Sequence, residues 1–366
     1  MTVRAGVALV AALALVAGCV QAPSTNPQVT WSDVTPAGVV PASLAVSSSG
    51  VVVGGTDETG EAPMVVGADG TAVRLVATEP YAATAAIVAA SISGDELYLL
   101  GGRSGGAHGN VRWTVWDGPP AGAVTSREQD FFTFGGHDAG PLLGVVPAGE
   151  RPIIVGSRGG DAGPMAALYS ANGSVWKQLD TPAELQSVKG TLLGFTAVAS
   201  NRDLVVLVGD VVRATVDGVE QTPAMFYGTV GGSWRRVDLP VPGPRRPGLR
   251  HATGVACDGG VCWVVGWAGR PMAWRVGLDA ASVQILPALD GAAPTGADPV
   301  AVVTLVNGRP VVLTNAASPY GAVLCGARWT RFPTPTSVTA AVGLGHDAYL
   351  IAGSTPRLWR ATMPSC

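Results

Sequence analysis

A short aliphatic run closing on glycine or a small polar residue recurs along the chain. The copies are Val51-Val52-Val53-Gly54, Tyr98-Leu99-Leu100-Gly101, Ile153-Ile154-Val155-Gly156, Val206-Leu207-Val208-Gly209, Trp263-Val264-Val265-Gly266, Val311-Val312-Leu313-Thr314 and Leu350-Ile351-Ala352-Gly353. The intervals between their last residues are 47, 55, 53, 57, 48 and 39, the spacing of a four-stranded unit with loops of variable length. Upstream of each lies a strand rich in small residues, as in Ala86 to Ser93, Leu192 to Ala199, Ala252 to Cys257 and Val338 to Leu344. Downstream, proline opens a further strand at Pro63, Pro164, Pro223, Pro271 and Pro356. Proline has no amide to donate, so a sheet tolerates it best at the first residue of a strand. A fourth element carries tryptophan: Trp176-Lys177-Gln178-Leu179, Trp234-Arg235-Arg236-Val237 and Trp329-Thr330-Arg331-Phe332.

The order small-residue strand, Gly-ending strand, Pro-led strand, Trp strand is that of a β-propeller blade, whose innermost strand faces a narrow channel and whose outer strand has room for an indole. Seven copies predict an all-β chain, a seven-bladed β-propeller over residues 29–366. The last copy runs out at residues 362–366 without a Trp strand, and the missing piece stands at the other end as Trp31-Ser32-Asp33-Val34. An N-terminal strand is therefore expected to complete the seventh blade and close the ring, which removes exposed sheet edges.

Composition agrees with many short strands joined by tight turns: 50 Gly, 28 Pro and only 13% charged residues. The net charge of −3 argues against a nucleic-acid partner, which needs a concentrated basic surface. No apolar run after the first nineteen residues is long enough to span a bilayer.

Those first nineteen residues run from Arg4 through an apolar stretch, Val7 to Ala17, to Val16-Ala17-Gly18-Cys19. The apolar stretch is too short for a permanent span, and the small residues before Cys19 suit a signal peptidase. The segment resembles the bacterial lipoprotein signal, whose lipobox matches Val16, Ala17, Gly18 and Cys19. The resemblance implies a signal peptide at 1–18, acylation of Cys19, a tether at 19–28, and a protein held by lipid on the outer face of the cell membrane. Four cysteines then remain, an even number for an oxidising compartment. Cys257-Asp258-Gly259-Gly260-Val261-Cys262 reads as a hairpin with a two-residue Gly-Gly turn, which brings Cys257 and Cys262 together across the strands. Cys325 and Cys366 are left as the second pair.

Chemistry is sparse. Gly102-Arg103-Ser104-Gly105-Gly106 matches G-x-S-x-G but leads into Ala107-His108-Gly109-Asn110 and another strand, not the helix a nucleophile elbow requires. Ser170-Ala171-Asn172-Gly173-Ser174-Val175-Trp176 resembles a shortened Asp-box turn of sialidase-like propellers, and Gly54-Gly55 and Gly101-Gly102 resemble Kelch double glycines. Both resemblances imply the fold, and the sialidase Arg-Ile-Pro signature is absent. His108, His137, His251 and His346 stand apart without metal-ligand spacing, so no metal and no cofactor is expected. What remains is a face. Loops joining an outer strand to the next inner strand share a side with those joining second and third strands. That side carries Arg127-Glu128-Gln129-Asp130-Phe131-Phe132-Thr133-Phe134 with His137-Asp138, and Arg245-Arg246-Pro247-Gly248-Leu249-Arg250-His251. The candidate binding residues are Arg127, Asp130, Phe131, His137, Asp138, Arg245, Arg246, Arg250 and His251, the arginines offering a clamp for carboxylate or phosphate. The reading is a non-catalytic binding or assembly module for an extracytoplasmic protein or glycan. Its alternative is a glycan-active hydrolase or lyase using paired carboxylates on the same face.

Overall fold

The computed structural model describes residues 28–47, 50–106, 109–149, 151–173, 175–216, 218–243, 249–291 and 300–366. The expected signal peptide, Cys19 and nearly all of the tether lie outside them, as do His108, Arg245 and Arg246. Seven sheets, antiparallel except for one added strand at the outer edge of blade 2, follow one another as the blades of a propeller, each built outward from an inner strand. The inner strands of blades 1 to 7 are Val39–Ser47, Ala86–Ser93, Ala139–Ala148, Thr191–Asn201, Arg250–Asp258, Ala301–Val306 and Val338–Leu344. The apolar core is divided among the interfaces between neighbouring blades. Val52 of blade 1 is buried with Ile87 and Trp116 of blade 2, Val155 of blade 3 with Phe226 of blade 4, and Ile351 of blade 7 with Val53 of blade 1.

The recurring glycine has a specific cause. In six blades the inner strand carries one extra residue relative to its partner, a bulge at Ala42, Val88, Leu143, Thr196, Thr253 and Thr339. Opposite these bulges stand Gly55, Gly101, Gly156, Gly209, Gly266 and Ala352. A methyl group added at Gly55, Gly209 or Gly266 would collide with the inner-strand carbonyl oxygen of Val40, Gly194 or His251. Blade 6, whose copy ends in Thr314, pairs Ala301 through Val306 without a slip. A small residue, glycine in five of the six cases and Ala352 in blade 7, thus accompanies the bulge. Side chains at the bulges tie inner strands together: the Thr196 hydroxyl donates to the Ala252 carbonyl, and the Thr253 hydroxyl to the Ala301 carbonyl at 2.8 Å.

The ring closes as the sequence predicts. Ser32 and Asp33 pair with Arg360 and Trp359, and the Val34 amide donates to the Leu358 carbonyl at 2.9 Å. Val29 is buried beside Phe332 and Met363, whereas Trp31 is only half-buried. Its indole N–H donates to the Pro333 carbonyl of blade 6 at 2.9 Å. The same latch recurs from Trp329 to Pro287 (2.9 Å) and from Trp274 to Pro240 (2.8 Å). Both disulfides form. Cys257 faces Cys262 at a Cα separation of 4.1 Å across a turn whose Gly259 and Gly260 have φ of 56° and 82°, and Cys325 holds the C-terminal Cys366.

Two expectations are corrected. Pro223 does not open its strand, which runs Gly218–Thr229; its carbonyl accepts the Leu239 amide, so the donor it lacks would lie on the outer edge, where the neighbouring strand ends. Blade 1 does not have four strands. Its fourth segment pairs with the third only around Val73, whose amide donates to the Val65 carbonyl at 2.9 Å. Arg74–Val76 then crosses over and pairs in parallel with the outer strand of blade 2, Ala123–Arg127. Lacking a tryptophan to fill an outer position, this segment instead packs the half-buried Val73 and Leu75 against the core between blades 1 and 2.

Deleting residues 29–35 removes Val29, half of Trp31 and the closing hydrogen bonds, a loss of at least about 3 kcal/mol. We expect a lower thermal midpoint and aggregation, read by calorimetry and light scattering; wild-type stability would show that another element closes the ring. Gly209→Ala is expected to cost ~1–3 kcal/mol by overpacking against the Gly194 carbonyl. Urea denaturation checks this, and an unchanged midpoint would mean that the bulge can relax.

Candidate functional site

The crossover of blade 1 delivers residues 77–85 onto the loop face above blade 2. The Thr78 amide donates to Ser126 Oγ at 2.8 Å, and its hydroxyl oxygen lies 3.0 Å from the Ser126 carbonyl. Ser126 Oγ in turn donates to Glu79 Oε2 at 2.8 Å, and the Thr78 hydroxyl is bonded to the same oxygen. Glu79 is only 8% exposed. Tyr81 follows and leads into a short helical turn, Ala82–Thr84.

Two further segments complete a cavity of about 550 Å³, within the ~300–1,000 Å³ range of small-molecule sites. One is the turn between the second and third strands of blade 2, which supplies Gly106 and Asn110 to Trp113. The G-x-S-x-G stretch is therefore part of a turn. The other joins blade 2 to blade 3. Asp130 caps a single helical turn, Phe131–Phe134, by accepting the Phe132 amide at 2.8 Å. The turn points Phe134 inward against Tyr169, with ring centroids 4.9 Å apart, and leaves Phe131 and Phe132 outward, 57% and 71% exposed. Asn110 Nδ2 donates to the Gly136 carbonyl at 3.3 Å and joins the two loops. The Trp176 amide donates to Gln129 Oε1 at 2.8 Å, anchoring the base of the second loop to blade 3.

Charge on the wall is mixed. Arg127 is held by Asp117, Nε to Oδ1 at 2.7 Å with a second contact from Nη2, and that bond raises its pKa. Arg112 makes no ion pair among the described residues; its guanidinium lies 6.0 Å from the Tyr81 ring centre. Burial, and then the charges of Glu79 and Glu128, push the Tyr81 hydroxyl pKa up.

Of the candidates from sequence, Arg127, Asp130, Phe131 and His137 line this cavity. Asp138 does not; it lies beside His137, with Oδ1 3.2 Å from Nδ1. Arg250 and His251 stand at the junction of blades 4 and 5, where the Arg250 amide donates to Gln221 Oε1 at 3.2 Å and His251 is buried. Neither lines the cavity. Glu79, Tyr81, Arg112 and Trp113 were not foreseen. Their only signal in the sequence is that they flank turns on the same face, and Glu79 and Tyr81 arrive there through the irregular fourth segment of blade 1. Among the described residues no group of three or more His, Cys, Asp or Glu could hold a metal ion, and no helix is long and apolar enough to cross a membrane.

No family model and no curated protein matches the sequence. Solved structures of similar fold include BamB from Moraxella catarrhalis (12% identity, TM-score 0.48, covering 88% of this chain and 85% of that one). They also include YjhT (12%, 0.47, 81% and 98%). A third is XC5397 from Xanthomonas campestris, described as a gluconolactonase important in glucose secondary metabolic pathways (13%, 0.44, 93% and 91%).

The polar group whose ionisation burial most disturbs at the other junction is Asp210, beside His251. Burial raises its pKa, opposed by a 2.9 Å hydrogen bond from Gln221 Nε2 and by the charge of His251. A carboxyl with a raised folded-state pKa binds its proton more tightly when folded, so stability falls as pH rises from the unfolded value to the folded one. The penalty is complete above the folded pKa. Asp210→Asn should therefore raise the melting temperature at pH 7, with the gain shrinking as pH approaches 3.8. Melting curves across that range check it, and an equal loss at every pH would show that the ionised form is well held.

Proposed function

We propose that the protein is an exported lipoprotein, held by acylated Cys19 on the outer face of the cell membrane, whose propeller is a binding module with the cavity beside Phe131 and Phe132 as its ligand site. The lipobox match at four positions supports the anchor, and two formed disulfides fit an oxidising compartment. The observation that carries the binding role is the pair of exposed phenylalanines, ring centroids 5.1 Å apart and nearly perpendicular, standing at the mouth of a cavity with polar groups in its wall. Exposed aromatics beside a concave site are where binding energy concentrates. The two carboxyl groups on the wall favour binding over glycan hydrolysis or cleavage: Asp130 caps the helical turn and Glu79 holds two hydroxyls, so each already has a structural task.

Two experiments test this. Cys19→Ala should move the protein from the membrane pellet to the soluble exported fraction with its melting temperature unchanged; retention after a salt wash would refute the anchor. Crosslinking on native membranes followed by capture should recover bound material with the wild type and at least tenfold less with Phe131→Ala/Phe132→Ala, a change that leaves the core intact. Equal recovery would place the binding site elsewhere.

A further inference from the structure

We infer that the cavity receives a neutral pyranose sugar. The inference rests on the cavity being the ligand site and names what fills it. Glu79 Oε1, the Tyr81 hydroxyl and the Arg112 guanidinium are polar groups of the lining residues that make no hydrogen bond among the described residues. Glu79 is nine-tenths buried, and both of its hydroxyl donors go to Oε2. Its second oxygen, Oε1, is thus free to accept from a ligand that donates in the cavity.

The charges select among ligands. An ammonium group would meet Glu79 favourably but would also face the guanidinium groups of Arg112 and Arg127. A carboxylate or phosphate would meet Arg112 favourably but would face Glu79 and Asp130. A neutral polyol avoids both penalties, because one hydroxyl can donate to Glu79 Oε1 while another accepts from Arg112 and Tyr81. The rest of the wall is aromatic, with Trp113, Phe131 and Phe132 presenting rings. A flat ring with hydroxyls around its edge and a C–H face to lay on those rings fits both demands, and a pyranose has this form.

The test uses the mature chain. Calorimetric titration with maltotriose, cellotriose and chitotriose should detect binding of at least one. Glucuronate and glucosamine, as charged counterparts, should bind at least tenfold more weakly than the corresponding neutral sugar. Soluble polymers of the binding sugar form a second arm: equal affinity per end points to a free sugar or a chain terminus, and tighter binding of the polymer to a longer glycan. Arg112→Ala should weaken binding at least tenfold. Because Glu79 also holds Ser126 and Thr78, Glu79→Gln is paired with Phe132→Ala, an exposed position whose loss of binding reflects no unfolding. Failure of all three neutral sugars, equal binding of the charged analogues, or full binding by Arg112→Ala and Phe132→Ala overturns the inference. Capture from membranes that still depends on Phe131 and Phe132 when every sugar fails would leave the binding module standing and remove only its sugar.

Discussion

The structure depends on how closely seven inner strands approach one another around the channel. At that radius backbone meets backbone. A methyl at Gly343 of blade 7 would collide with the Leu305 carbonyl of blade 6, and one at Gly254 of blade 5 would sit 3.0 Å from the Ala301 carbonyl. Small residues on the inner strands follow from this, since nothing larger lets neighbouring blades close. The bulges respond to the same crowding: an extra residue turns Thr196 and Thr253 toward the next blade, where their hydroxyls satisfy its carbonyls. Opposite five of the six bulges the second strand carries glycine and opposite the sixth alanine, so a small residue there goes with contact between the first strands.

Cohesion is accordingly shared between blades and not stored within them. Each apolar cluster takes residues from two blades, so a blade without its neighbour would expose one side of its sheet. The indoles of Trp31 and Trp329 in outer strands, and of the buried Trp274 in a third strand, bond carbonyls of the preceding blade at Pro333, Pro287 and Pro240. Proline suits this role, because its own lack of an N–H ends the ladder while its carbonyl remains free to accept. The segment around Trp31 therefore does two things at once: it supplies the outer strand of blade 7 and latches that blade to blade 6. Val29 adds the apolar burial that the half-exposed indole does not.

The repeats made the fold legible because the constraint they express is local: aliphatic run, glycine, proline and tryptophan fall at fixed offsets within each blade. Closure was legible for the same reason, a missing fourth strand at one end and a spare one at the other. The Cys257–Cys262 hairpin could be read from its Gly-Gly turn. The site was only partly legible. Asp130 and Phe131 stood out because a charged and aromatic cluster in a loop has no place in a repeat. Glu79 and Tyr81 did not, because their position depends on Arg74–Val76 leaving its own blade and pairing in parallel with the next. No periodicity within the sequence marks such a crossing; it follows from the packing of Val73 and Leu75 between two sheets.

That irregularity is where repetition gives way to a site. Had blade 1 kept a fourth strand of its own, residues 77–85 would have joined two regular blades, as the loops elsewhere in the ring do. The crossover instead ties Thr78 to Ser126 and carries Glu79 into the interior. Here the parallel pair, the hydroxyls of Thr78 and Ser126, and the Asp130 cap shape the wall, while one oxygen of Glu79, the Tyr81 hydroxyl and Arg112 face the cavity with their hydrogen-bonding capacity unused by the fold.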